Sequence, residues 1–328
     1  MTIQTRLTEF FGITHPIILA PMTPAAGGAL ASAVAGSGGL GLLGGGYADR
    51  RWYDDERAKI TTPGVGCGFI TWAAEHDLEL FDRALADFPK AMMLSFSDPA
   101  KLASRVKAAG VPLICQIHTL EHARRAIDVG ADVLIAQGTE AGGHGLTARS
   151  TMPFVPSVVD FVAKIAPSVL VVAAGGIADG RGLAASLMLG ADGVSMGTRF
   201  WATQESLIHS AAKNKVVAAS GDETIRTTVY DIVREKAWPE IYTGRLLRNE
   251  FITKWHGRES ELRTMHRDEL AKVEAAWESG DYDTANVTVG EAVGLINDLP
   301  PAKDVVLRTV AEAEERLGAH TASFRLAS

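Results

Sequence analysis

Asp128-Val129-Gly130-Ala131-Asp132-Val133-Leu134-Ile135-Ala136-Gln137 contains the end of one element and the whole of the next. From Asp132 to Gln137 the run is apolar without polar alternation, as expected of a parallel strand covered on both faces. Gly130 just before it reads as a helix stop. The same beat returns at Ala108-Ala109-Gly110-Val111-Pro112 and at Met188-Leu189-Gly190-Ala191-Asp192. Working outward from this beat, strand candidates are Ile17 to Met22, Leu40 to Gly44, Val65 to Thr71, Ala91 to Phe96, Pro112 to His118, Asp132 to Gln137, Val169 to Ala174 and Gly193 to Gly197. Helical stretches lie between them at Gly28 to Ala35, Leu78 to Phe88, Pro99 to Ala109, Leu120 to Val129, Pro156 to Ile165 and Arg181 to Leu189. Eight such units predict an α/β fold, a TIM (β/α)8 barrel with functional groups at the carboxyl ends of its strands.

The pattern changes after Trp201. Glu205 to Ala219 and Arg258 to Ser279 read as polar-rich helices and Thr224 to Tyr230 as a strand. Three regions are therefore expected: a barrel over 1–204, a mostly helical cover of the barrel mouth over 205–303, and a helical segment over 304–328 that returns to the barrel wall.

The chain has 328 residues, 47% of them hydrophobic and 22% charged, enough to bury a full core. Its formal charge of -7 is spread along the sequence without a basic patch, which argues against a nucleic-acid partner. No apolar run approaches a membrane span and Met1 to Phe10 has no signal core, so a cytoplasmic protein is expected. Cys67 and Cys115 fall inside apolar strands and read as buried thiols.

The seventh strand candidate ends Ala174-Gly175-Gly176-Ile177 and the eighth Ser195-Met196-Gly197-Thr198. On a barrel these two ends form the usual phosphate cradle, where bare backbone N–H groups converge. Asp179 reads as a helix N-cap. The first strand ends Ala20-Pro21-Met22 and the second runs into Gly44-Gly45-Gly46, unhindered backbone that suits a flat ring lying across the mouth. His118 and His122 have the i, i+4 spacing of metal ligands, but one ends a strand and the other lies in the next helix. No metal is expected, and His118 is placed at the border of the cavity. The remaining histidines, His15, His76, His209, His256, His266 and His320, read as surface or packing residues.

Together with Gln137-Gly138-Thr139-Glu140-Ala141-Gly142-Gly143-His144, these segments resemble the nitronate monooxygenase family over the whole barrel. The resemblance implies FMN, with Ala20, Pro21 and Met22 at the first strand's end, Gln137, Gly142 and Gly143 near the ring and ribityl chain, and Gly175, Gly176, Ser195, Met196, Gly197 and Thr198 around the phosphate. It implies His144 as the catalytic base, with its glycines letting the loop pass close to the flavin. A small-molecule nitronate or nitroalkane and O2 are the partners it implies, and it allows a homodimer. Two features depart from the family pattern. The third strand, Gly66-Cys67-Gly68-Phe69-Ile70-Thr71, lacks the Asn of many members, leaving backbone groups or Thr71 to serve, and Gly145-Leu146 follows the histidine in place of Arg-Gly.

The reaction expected is oxidation of alkyl nitronates, or of nitroalkanes first deprotonated by His144, to carbonyl compounds and nitrite. The alternative is an FMN-dependent NADH:quinone or enoyl-acyl-carrier-protein reductase on the same barrel. IMP dehydrogenase is a weaker rival, lacking a loop cysteine here, and a barrel that binds a phosphorylated ligand without redox work is a third reading.

Overall fold

The computed structural model describes residues 3–87 and 89–323, with side chains to Gly318. Phe88, at the end of an expected helix, Met1, Thr2, the side chain of His320 and residues 324–328 lie outside that description.

Among the described residues there are eleven strands, β1 (Ile17–Leu19), β2 (Leu42–Gly46), β3 (Gly66–Ile70), β4 (Met92–Ser95), β5 (Leu113–Ile117), β6 (Val133–Gln137), β7 (Gly143–Gly145), β8 (Leu170–Ala174), β9 (Gly193–Met196), β10 (Thr224–Thr227) and β11 (Thr243–Leu247). Eight of them form one parallel sheet in the order β1-β9-β8-β6-β5-β4-β3-β2. A parallel bridge from Ile18 to Leu40, just ahead of β2, joins its two edges and makes the barrel. All eight expected strands are these eight, trimmed by a residue or more at most ends.

The pleat divides the apolar residues between two cores. Ile18, Leu42, Met93, Ile114, Val133, Ile135, Leu170 and Val172 fill the barrel interior, closed from below by Leu7 and Phe11 of the helix Arg6–Phe11. Ile17, Leu19, Leu43, Cys67, Met92, Leu94, Cys115, Leu134 and Val171 face outward under the helices. Both thiols are free and buried, and burial pushes the Cys115 thiol up to about 12. Gly110, Gly130 and Gly190 take positive φ after their helices, as the repeated beat requires.

Local signals account for most helix ends. Asp77 and Thr119 cap the helices Leu78–Ala86 and Leu120–Asp128 by accepting from the N–H groups of Leu80 and His122, each at 3.0 Å. Asp179 caps Gly180–Met188 in the same way, accepting from Arg181 and Gly182. One helix begins earlier than expected, running Thr151–Ile165 where the proline at 156 reads as its start. Pro153 falls in the first turn, where no N–H has an intrahelical partner. The Glu140 carboxylate accepts from Thr151 N at 2.8 Å and holds that turn in place.

Beyond the barrel the chain is mostly helical, with Ser210–Ala218, Val229–Val233, Glu250–Trp255 and Glu259–Ser279. Val229, Tyr230, Phe251, Trp255, Leu262 and Val273 give this region a core of its own. The helix Ala302–Ser323 packs against Gly180–Met188 and Gly28–Gly36 of the barrel wall. Two strands were not foreseen. β11 pairs antiparallel with both β10 and β7, so a three-stranded sheet captures the loop that carries His144.

Candidate active site

At the carboxyl ends of the barrel strands lies a cavity of about 580 Å³. Its floor is bare or nearly bare backbone: Ala20, Pro21, Gly46, Gly68, Ala174, Gly175, Gly176 and Gly197. Gly175 and Gly176 turn the chain at φ of 104° and 72°, values L side chains rarely adopt, and a Cβ on Gly175 would stand 2.9 Å from Thr151 Oγ1. The N–H groups of Gly175, Gly176, Gly197 and Thr198 are used in none of the turn, loop or cap bonds among the described residues. Thr198 Oγ1 accepts from Gly290 N at 2.9 Å, which leaves its hydroxyl hydrogen to donate. This end can hold an oxyanion without any charged side chain.

The opposite end is built from side chains. His144 Nε2 lies 2.9 and 3.0 Å from the two carboxylate oxygens of Asp231, 87 residues away in sequence. A neutral imidazole therefore donates Nε2–H to Asp231 and keeps an unprotonated Nδ1. That Nδ1 has no hydrogen-bond partner and is not among the buried unpaired atoms of the described residues. Trp238 stacks on the imidazole at 3.5 Å and 7°, its own indole N–H donating to Tyr47 Oη at 3.0 Å. Burial pushes the Tyr47 phenol up from its usual range, against the opposing effect of Arg234. The Tyr47 phenol therefore stays neutral and available as the acceptor.

The loop before His144 is held from outside the barrel. Arg226 of β10 and Arg245 of β11, a cross-strand pair, both donate to the Thr139 carbonyl, at 2.9 and 3.0 Å for their Nη2 atoms. Burial, followed by the neighbouring Arg245, brings Arg226 down to about 10. Arg245 also pairs with Glu291 at 2.9 Å. This packing explains Gly142: a Cβ there would lie 2.4 Å from Gly290 N and 2.5 Å from the Val289 carbonyl carbon. The bare backbone is demanded by residues 289–290 of the chain itself, whereas sequence reading attributed it to a bound ring.

Of the residues singled out in the sequence, Ala20, Pro21, Met22, Gln137, Gly142, Gly143, His144, Gly175, Gly176, Ser195, Gly197 and Thr198 line this one cavity. Met196 does not. Its side chain belongs to the core under the helices and is fully buried, and its carbonyl accepts from Ala20 N at 3.0 Å. Thr71 is fully buried and absent from the lining, so at the third strand only Gly68, Phe69 and Ile70 reach the cavity. His118 lies behind Gln137, 3% exposed, and is not at the cavity border. Burial is the main cause that lowers its imidazole to about 4. His209 caps the helix Ser210–Ala218 and reaches the rim. Asp231, Trp238, Arg226 and Arg245 had no sequence signal, because nothing near His144 in the chain marks residues that approach it only through β11.

The sequence model of the nitronate monooxygenase family matches residues 4–63 and 68–312. A nitronate monooxygenase of Neurospora crassa is 32% identical, the match spanning 95% of this chain and 93% of that protein. An octahydroindene-carboxyl-CoA dehydrogenase of Mycobacterium tuberculosis is 31% identical over 95% of this chain and 97% of its own. Among solved structures, FabK from Thermotoga maritima superposes with a TM-score of 0.84 at 31% identity, covering 98% of this chain and 100% of that one.

Proposed function

The chain belongs to the nitronate monooxygenase family, a family of oxidoreductases, and from that premise we propose that it binds FMN across the barrel mouth and oxidises alkyl nitronates with O2 to carbonyl compounds and nitrite. The observation that carries the proposal is the pairing of His144 with Asp231 above a floor of bare backbone. The floor suits a flat uncharged ring, and the turns at Gly175, Gly176, Gly197 and Thr198 suit its phosphate. When bound, FMN would supply the electron acceptor for the nitronate and the route of those electrons to O2.

The chain's own residues provide the rest. With Nε2–H committed to Asp231, His144 Nδ1 is the atom that takes a proton from the carbon α to a nitro group, while the C–H electron pair forms the C=N bond of the nitronate and the N=O π pair moves onto the nitro oxygen. Asp231 fixes the tautomer and stabilises the imidazolium that results. Trp238 excludes water from one face of the ring. In the same proposal, residues 1–204 form the cofactor-binding barrel, 205–303 the cover that shapes the substrate side, and 304–328 a segment returning to the wall.

A flavin reductase using NADH is the second reading, kept because the dehydrogenase name of the Mycobacterium tuberculosis relative shows that relatives at this identity differ in activity. Anaerobic mixing of the yellow protein with each donor tests the choice. Bleaching by a nitronate and not by NADH is expected; rapid bleaching by NADH alone would replace the proposal with the reductase reading. A colourless protein that takes up no FMN would reject both.

A further inference from the structure

Behind the cavity wall, three side chains meet on one oxygen. Gln137 Oε1 is 2.7 Å from His118 Nε2 and 3.2 Å from Gln116 Nε2. Gln137 and Gln116 line the cavity and His118 stands behind them, stacked on Phe96 at 5.9 Å and 28°. His118 Nδ1 is buried without a hydrogen-bond partner among the described residues.

That unpaired nitrogen decides the tautomer. If Nδ1 carried the proton, a buried N–H donor would have no acceptor, a rarer and costlier defect than an unused lone pair. With the proton on Nε2, His118 donates to Gln137 Oε1 and only the Nδ1 lone pair goes unused. Burial keeps the imidazole neutral down to about pH 4, so the donor persists across the working range. An oxygen that already accepts from His118 and Gln116 fixes the amide's direction. Its other end, Gln137 Nε2, bonds to no described residue and is not among the buried unpaired atoms.

We propose that His118 is a positioning residue that, together with Gln116, turns the Gln137 amide so that its N–H group faces the cavity, making the end of β6 a fixed hydrogen-bond donor for an acceptor atom of the ligand. The inference rests on the flavin of the proposed function only for the identity of that acceptor. A donor directed at an electron-rich reduced ring stabilises it, and so raises its reduction potential.

Two measurements on the full chain test this. In the purified protein, ¹⁵N shifts of His118 should show Nε2 protonated and Nδ1 bare at neutral pH; an Nδ1–H tautomer would overturn the inference whether or not flavin is bound. In flavin-loaded protein, His118→Leu should make the flavin midpoint potential more negative by about 30 mV, a tenfold change for a two-electron couple. His118→Gln, which keeps an N–H at similar reach, should leave it at the wild-type value. Gln137→Met should produce the same shift, and adding His118→Leu to it should change nothing further, since coupled residues are non-additive. An unchanged potential in His118→Leu or in Gln137→Met, or additive shifts in the double, would show that His118 does not act through Gln137. Should His118→Leu not fold, the tautomer and the His118→Gln and Gln137→Met potentials decide. A protein that carries no flavin would sink the proposed function and leave the tautomer measurement standing.

Discussion

At the β8–β9 end the cavity is lined by backbone that the barrel strands present by themselves: Gly175, Gly176, Gly197 and Thr198 stand within a residue or two of the strands that place them. At the His144 end every decisive group is a side chain, and its partners come from far along the chain. Asp231 follows β10, Trp238 precedes β11, and Arg226 and Arg245 reach back from that sheet to the Thr139 carbonyl. The first construction has no titrating group and meets the cover at one hydrogen bond, from Gly290 N to Thr198 Oγ1. The second is assembled only when the C-terminal sheet docks on β7. One cavity thus has an end that comes with its strands and an end that comes with a tertiary contact, and the two should fail separately.

The sharpest way to break that separation is His144→Ala. Turnover of neutral nitroalkanes is expected to fall by about 10²–10⁴-fold, the usual contribution of a positioned base, while preformed nitronates lose roughly tenfold or less. FMN content should not change. Equal losses on both substrates would assign His144 to binding and not to proton transfer.

Acid should act on the buried imidazole behind the cavity wall. His118 has its folded pKa lowered to about 4, from an ordinary value of 6.5. Between those values the unfolded state binds the extra proton, so stability is lost as pH falls from 6.5 towards 4, by on the order of 3 kcal/mol from this group. Denaturant titrations across that range should show a smaller loss in His118→Gln than in wild type. Identical slopes would mean that His118 is solvated in the native protein.

Gly197→Val tests the backbone end, because a branched side chain there crowds Met22 Sδ, already 3.2 Å from an added Cβ, and would project over the cradle. FMN should bind about a hundredfold more weakly, the loss expected from two hydrogen bonds to a charged group. The melting temperature of the flavin-free form should stay close to wild type. Full occupancy of this variant would move the phosphate elsewhere.

Asp231→Asn should have the smallest effect, roughly a tenfold loss on nitroalkanes, since the Asn carbonyl oxygen still accepts from His144 Nε2–H and keeps the tautomer while the charge facing the imidazolium is lost. Nitronate turnover and FMN affinity should hold. If nitronate turnover dropped equally, Asp231 would be organising the cavity and not the base.

The same contrast explains what the sequence made legible. Periodicity and glycine stops located the eight barrel strands and most of the wall, because each depends on residues adjacent in the chain. The turns at Gly175, Gly176, Gly197 and Thr198, which line the cavity, were readable for the same reason. Met196 shows the limit of reading a motif as a unit, since the pleat sends it outward between two cavity residues, Ser195 and Gly197. His144 was visible through its motif, but Asp231 was not, because a single aspartate in the short apolar run Val229–Val233 carries no mark of a partner 87 residues earlier. β11 was missed since Thr243-Gly244-Arg245-Leu246-Leu247 has neither a clean alternation nor an unbroken apolar run, its glycine lying opposite His144.

The position of Ala302–Ser323 against Gly180–Met188 and Gly28–Gly36 has a consequence for how the protein is made. The barrel wall is sealed by a helix that follows β9 by roughly a hundred residues, and a ribosome adding about 5–20 residues per second needs roughly 5–20 s to reach it. During that interval Leu30, Val34, Leu183 and Ala184, buried in the finished wall, await Val305, Val306, Val310 and Ala313. The region between can meanwhile condense on its own core around Trp255 and Val273. Polar replacements at Val306 or Val310 should therefore reduce the yield of soluble protein during synthesis more than they reduce the activity of the molecules that complete the barrel.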